Sequence, residues 1–323
     1  MKRAFGIAAA FAVAMSAFAM TAPEAVAQAP FPSRTIRLLC WSSAGSPLDV
    51  MMRQLGKQLG DEFKETSVVE NKPGGGGAIA MSAVKSQPAD GHTILSTTSS
   101  MALAMAMGDV PYEPDDFIVL PALQAEPSAI AVRTNSPFKT MKQFMDYIRE
   151  HPDKVSVGGF SSAGFHQFVF YRLQQVGGFK SIWVPFRGGQ DAALAVLGGH
   201  IDVAVMTPSS ALSQIKDGDI RLLGISSETR DQYFPEVPTF KEQGYDVVAS
   251  IWRGVMLKAG TPQPIVDKLM STIDTIKKTD EWDRFSRLNM QSSVNVTLPE
   301  MQKKVRDEIA VYREFLVSSG LKK

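Results

Sequence analysis

The sequence predicts a two-lobed α/β protein, each lobe a mainly parallel sheet flanked by helices. Three observations carry this. Short apolar runs alternate with amphipathic helical stretches from Ile36 onward, an order that implies parallel strands joined by right-handed crossovers. The alternation restarts with a similar layout near Thr140. The chain has 323 residues, against roughly 150 for an average domain.

Ile36–Trp41 is a short apolar run suited to a buried parallel strand. Leu48, Met51, Met52, Leu55 and Leu59 then fall on one helical face. Ser46 is the N-cap, Pro47 the first helical residue, and Asp49 the return arm of a short capping box. Ser67–Glu70 predicts a second strand, a glycine-rich turn leads into a helix over Ala78–Lys85, and His92–Leu95 predicts a third strand. In the second half, Thr140 and Gln143 cap a helix over Met141–Arg149, which Pro152 cannot extend. Strands are expected at Val155–Val157, Ile182–Pro185, Ile201–Met206 and Arg221–Ile225, with helices at Phe165–Val176, Asp191–Leu197 and Ser209–Asp217. The remainder reads as mostly helical: Thr261-Pro262 opens one helix, and Thr297 with Glu300 caps another that runs to about Ser318. The chain is expected to cross between lobes near Ala129–Ser136 and Val247–Trp252. Residues 28–131 and 250–323 then form a discontinuous lobe 1, and residues 132–249 form lobe 2.

Lys2 and Arg3 precede an apolar run, Ala4–Ala19, whose one polar residue is Ser16, and Ala25-Val26-Ala27 supplies a small-x-small cleavage site. Residues 1–27 read as a secretory signal peptide cleaved after Ala27. The run is short of the ~20 apolar residues a membrane span needs. A periplasmic product is expected. Lys plus Arg total 34 and Asp plus Glu 33, a balance that argues against a nucleic-acid partner or a polybasic membrane surface. Cys40 is the only cysteine, which rules out an intrachain disulfide and a multi-cysteine metal site. His92, His151, His166 and His200 lack metal-ligand spacing. Gly75-x-Gly77-x-x-Ala80 imitates a dinucleotide fingerprint, but the following strand ends in Ser96-Thr97-Thr98 with no acid for a ribose. No metal, cofactor or catalytic residue is predicted, and no P-loop or Gly-x-Ser-x-Gly elbow occurs.

A repeated turn marks the candidate site. Ser42-Ser43-Ala44-Gly45 and Ser161-Ser162-Ala163-Gly164 each follow the first strand of a lobe and precede its helix. Ligands of open α/β sheets bind beyond the carboxyl ends of strands, where helix starts offer unpaired N–H groups and positive dipole ends. Two such cups facing across a cleft suit a carboxylate shared between them. His166, beside the second turn, lines the site or serves structure. Asp202 accepts from a ligand or stabilises a turn, and Arg253 holds a carboxylate or lies on the surface. Cys40 reads as core.

The residues Phe31-Pro32-Ser33-Arg34-Thr35-Ile36-Arg37-Leu38, Val69-Glu70-Asn71-Lys72-Pro73-Gly74-Gly75-Gly76-Gly77, Pro88-Ala89-Asp90-Gly91 and Val110-Pro111-Tyr112 occur in that order. They are followed by Val184-Pro185-Phe186-Arg187-Gly188-Gly189, Leu197-Gly198-Gly199-His200-Ile201-Asp202-Val203, Glu236-Val237-Pro238-Thr239 and Ala259-Gly260-Thr261-Pro262. Taken together the chain, from about Phe31 to Gly320, resembles the extracytoplasmic solute receptors of tripartite tricarboxylate transporters, the Bug family. The resemblance implies a Venus-flytrap fold and carboxylate capture in the interlobe cleft, with delivery to membrane permease subunits. It implies a non-enzymatic protein, expected as a monomer. It also implies a site drawn from Trp41, Ser42, Ser43, Ala44, Gly45, Leu48 and Asp49 in the first loop and Phe160, Ser161, Ser162, Ala163, Gly164, Phe165 and His166 in the second. Thr98, Asp202, Thr207 and Arg253 complete the expected set. The first loop departs from the family pattern, with fewer glycines and Leu48 at the usual threonine position. Trp41, Phe160, Phe165 and Trp252 favour an aromatic mono- or dicarboxylate, with Arg253 on a second carboxylate, over an aliphatic acid. The alternatives are a ligand sensor for a signalling receptor and a serine hydrolase using Ser162 and His166.

Overall fold

A computed structural model describes residues 30–108, 110–152 and 154–322; the expected signal peptide lies outside the described residues. The first lobe begins as β1 (Ile36–Cys40), α1 (Pro47–Phe63), β2 (Ser67–Asn71), α2 (Ala78–Lys85), β3 (Thr93–Thr98), α3 (Ser99–Met107), β4 (Phe117–Val119) and β5 (Gln124–Pro127). β1 pairs in parallel with β2 on one side and β3 on the other. The second lobe follows as β6 (Ala129–Arg133), α4 (Met141–Glu150), β7 (Ser156–Phe160), α5 (Phe165–Gly177), β8 (Ile182–Phe186), α6 (Gly189–Leu197), β9 (Val203–Met206), α7 (Leu212–Lys216) and β10 (Ile220–Ile225). The chain then returns through β11 (Ser250–Lys258), α8 (Gln263–Ile276), α9 (Asp280–Leu288), β12 (Ser292–Ser293) and α10 (Leu298–Ser318).

The first sheet runs β12-β5-β11-β3-β1-β2, with β4 also paired to β11, and the second runs β10-β6-β9-β7-β8. Each sheet contains a strand inserted immediately after a crossing. β11 lies antiparallel between β3 and β5, and β6 lies antiparallel between β9 and β10. The segments expected as crossings are therefore strands. β6 is buried over Ala129–Val132 and β11 over Ile251–Leu257, so neither carries the polar punctuation of a linker or the alternation of a half-buried strand. Between β5 and β6 the chain passes from the first sheet to the second at Ser128. There the two crossings are bonded side by side: Ser128 N–H donates to Ser226 Oγ (2.8 Å), Ser226 N–H to the Ser128 carbonyl (2.8 Å), and Ala249 N–H to the Ser226 carbonyl (2.8 Å).

Capping follows the sequence with one shift. Ser46 Oγ accepts from Asp49 N–H at 3.2 Å, but the Asp49 carboxylate reaches past Ser46 to Gly45 N–H at 2.8 Å, because Ser46 N–H already bonds the Ser43 carbonyl. Thr297 and Glu300 cap α10 reciprocally. The helix expected over Ser209–Asp217 divides into a 3₁₀ turn, Pro208–Ala211, and α7. From the first lobe, α10 reaches α5 of the second through Phe168, whose ring lies 5.0 Å from Tyr312 and 5.3 Å from Phe315 in edge-on contacts. None of the helices among the described residues is long and apolar enough to cross a membrane.

Candidate functional site

In both lobes the parallel strands end at the interlobe cleft, which encloses a cavity of about 330 Å³. β1 delivers Trp41, Ser42, Ser43 and Ala44 to it, β3 delivers Thr98, and the inserted strand β11 delivers Ile251 and Arg253. From the second lobe come Phe160 at the end of β7, Thr207 after β9, and Gly188, Gly189 and Gln190 after β8, with His166 from the first turn of α5. Three helices begin at this cavity: α1, α3 and α6, with N-caps Ser46, Thr98 and Gly188, whereas the N-cap of α5, Gly164, lies at a neighbouring cavity. The first turn of each has backbone N–H groups without intrahelical partners and a partial positive charge of about +0.5. Glycine at residue 189 permits the close approach of α6: an added Cβ would lie 2.5 Å from Ser210 Oγ.

The charged side chains at the cavity are paired. Arg187 donates to Asp191 at 3.1 Å. Arg253 Nη1 donates to Glu126 Oε2 at 2.9 Å, and Ser209 N–H and Oγ–H each donate to the same carboxylate at 2.7 Å. Glu126 comes from β5 and Ser209 from the second lobe, so this carboxylate ties the lobes together. Burial raises the Glu126 carboxyl, opposed by Arg253 and the Ser209 hydrogen bonds. Further contacts between the lobes are Gln190 Nε2–H to the Gly45 carbonyl at 2.9 Å and Trp41 against Phe160 with ring centroids 5.9 Å apart.

His166 is buried, and its Nδ1 shares a 2.7 Å hydrogen bond with Ser128 Oγ at the crossing. Burial, then the Arg253 charge, lower its pKa to about 3, so the ring is neutral at pH 7. In the unfolded chain the imidazole takes up a proton as pH falls below about 6.5, while the folded one stays neutral until about 3. Stability from this group is thus full above pH 6.5 and is lost with acidification at about 1.4 kcal/mol per pH unit. Urea unfolding of His166→Gln from pH 7 to 4 should show a slope shallower than wild type by about that amount; equal slopes would mean the imidazole is solvated in the folded protein.

Of the sequence-derived candidates, the cavity gathers Trp41, Ser42, Ser43, Ala44, Leu48, Thr98, Phe160, His166, Thr207 and Arg253. Gly45 sits at its edge with φ +79°, its carbonyl engaged by Gln190. Asp49 lies behind the loop, positioning it through Gly45 N–H and Asn71 Nδ2. Burial alone would raise the Asp49 carboxyl, but hydrogen bonds from Arg53, Asn71 and Gly45 hold it below its usual range. Phe165 is buried on the hinge side, edge-on to His166.

Three expectations need correction. Asp202 precedes β9 and accepts from Ser156 N–H (2.8 Å) and Oγ–H (2.7 Å) at the start of β7, the amino ends of parallel strands and thus the edge away from the cleft. Arg253 is not a free cation for a second carboxylate, since Glu126 already holds it. The two tetrapeptides do not face one cavity. Ser161 and Ala163 have φ of +61° and +54°, their N–H groups bond the Phe186 carbonyl and the Gln167 side chain, and the turn Ser161, Ser162, Ala163 and Gly164 lines a separate cavity beyond Trp41 and Phe160. The Ser162–His166 pairing needed by a hydrolase is not made: His166 Nδ1 faces Ser128, and Ser161 Oγ donates to the Ser162 carbonyl. The second-lobe cup that does reach the first cavity is Gly188-Gly189-Gln190. Its sequence signal is a glycine pair between a strand and a helix. Glu126 and Ser209 carried no such signal. Among the described residues no cluster of three His, Cys, Asp or Glu side chains is placed to hold a metal ion.

Comparison with known proteins places this geometry. The family model described as tripartite tricarboxylate transporter family receptor matches residues 51–314. A Cupriavidus necator protein, "UPF0065 protein in gbd 5′ region", is 30% identical over 270 residues, covering 83% of this chain and 82% of that protein. The structure of the periplasmic binding protein BugD aligns with a TM-score of 0.82 at 25% identity, covering 91% of this chain and 100% of that one. MatC of Rhodopseudomonas palustris, solved with bound malate, shares the fold with a TM-score of 0.80 at 23% identity over 88% of this chain and 99% of its own.

Proposed function

The chain belongs to the tripartite tricarboxylate transporter receptor family, and from that premise we propose that it captures a small organic carboxylate in the interlobe cavity and presents it to membrane permease subunits. The observation that carries this reading is the convergence of three helix N-termini, α1 and α3 from the first lobe and α6 from the second, on a cavity of about 330 Å³ whose charged side chains are paired. The attraction for an anion then comes from oriented backbone dipoles, together with hydroxyls of Ser42, Ser43, Thr98 and Thr207. An anion in contact with both lobes favours closure, because the open state offers it only the donors of one lobe. Closure makes the contacts Gln190–Gly45, Ser209–Glu126 and Trp41–Phe160, and the closed surface is what a permease distinguishes from the empty receptor. The basic, apolar and small-residue pattern of residues 1–27 supports export with cleavage after Ala27.

Calorimetry with a panel of mono-, di- and tricarboxylates, run beside small-angle scattering, tests this. One-to-one binding of at least one acid with compaction is expected. A protein that binds none of them and keeps one radius of gyration would overturn the reading.

A further inference from the structure

A second cavity of about 330 Å³ lies between the lobes beside the first. Trp41, Ser100 and Phe160 line both, so the wall between them includes a tilted aromatic pair. On the far side the lining is Gly76, Ala78, Ala104 and Met107 from the first lobe and the Ser161–Gly164 turn from the second. No charged side chain lines it. The glycine run keeps this space open: Gly74, Gly75, Gly76 and Gly77 all have positive φ, and a Cβ on Gly76 would stand 3.2 Å from that of Ala104.

A separate observation points to a ligand. The indole Nε1 of Trp41 is buried and has no hydrogen-bond partner, although its side chain lines both cavities and is only 7% exposed. Buried donors are ordinarily satisfied, and each exception asks for an explanation. An acceptor on a guest spanning the two cavities supplies one.

Resting on the carboxylate reading above, we propose that the guest is a monoanion with an uncharged, mainly apolar tail. Its carboxylate occupies the first cavity, its tail passes the Trp41–Phe160 wall into the second, and an oxygen near the junction accepts the Trp41 N–H. The lining of the second cavity explains the single charge: no charged side chain reaches it, so a carboxylate at the end of the tail would be buried without a partner.

The test is calorimetry with n-alkanoates from propanoate to decanoate, ω-phenylalkanoates, and α,ω-diacids of matched length. Once the tail reaches the second cavity, affinity should rise about fourfold per added CH₂, and each diacid should bind at least tenfold more weakly than its monoacid. Ala104→Leu and, independently, Met107→Phe fill the second cavity. Each should cut long-acid affinity at least tenfold and leave short acids within twofold. Short acids that bind with no gain from length, or diacids that bind more tightly than monoacids, would sink the tail assignment and leave carboxylate capture standing. Silence from all acids, with folding verified by circular dichroism, would sink both.

Discussion

Replacing Arg253 with methionine should destabilise the protein by about 3–5 kcal/mol, because it strands Glu126 in the interior with only the Ser209 hydrogen bonds. The accompanying Glu126→Gln change should recover most of the loss, since the double variant contains no unpaired buried charge. The pH dependence distinguishes this from simple loss of packing. Burial already raises the Glu126 carboxyl against the pull of Arg253. Without the guanidinium the carboxyl rises further, so the folded Arg253→Met protein holds a proton that the unfolded chain releases above about 4.5. Relative to wild type, its stability should therefore increase as pH falls from 7 toward 5, against the common loss from His166. Denaturant titration at several pH values reads both effects. Wild-type stability in Arg253→Met would mean the pair is hydrated and contributes little. Glu126→Gln alone has a different signature: it destabilises the fold but exposes a cation to the cavity, so anion affinity should rise.

The parts of the fold legible in the sequence are those whose burial is one-sided. α1 shows its apolar stripe from Leu48 to Leu59 because its opposite face is wet, and Ser46-Pro47 announces its start. α3 is invisible by the same criterion. Ser99–Ala106 is buried on every side, so no face stands out and only a featureless apolar stretch remains. β6 and β11 fail for a related reason, since a strand inserted between two others is set by pairing with distant segments. The site divides along the same line. Trp41, Ser42, Thr98 and Phe160 follow from topology, as residues just beyond or at the carboxyl ends of parallel strands. The Ser-Ser-Ala-Gly repeat misleads because identical letters adopt different backbones: in the first turn only Gly45 takes positive φ, whereas in the second Ser161 and Ala163 do. Glu126 escapes notice altogether, because its meaning depends on Arg253 and Ser209, which are distant in sequence.

Thr98→Asp should weaken binding about a thousandfold while keeping the start of α3. Thr98 caps α3 by accepting from Ser100 N–H at 3.1 Å, and it lines the cavity while only 3% exposed. Aspartate caps at least as well as threonine and favours the positive end of α3, so the helix start survives the change. Arg253 lies directly across the sheet from this position, but its guanidinium is engaged by Glu126. The added carboxylate therefore converts a cavity of balanced side-chain charge into a negative one. Two like charges about 4 Å apart at an effective dielectric near 20 repel by ~4 kcal/mol, roughly a thousandfold in affinity. Thr98→Asn supplies the control, with the same cap and nearly the same shape but no charge, and should stay within tenfold of wild type. Calorimetry with the tightest acid of the panel separates the outcomes. Equal affinity in the Asp and Asn variants would show that the guest's negative end lies elsewhere, and the three convergent helix starts would then lose their assigned role.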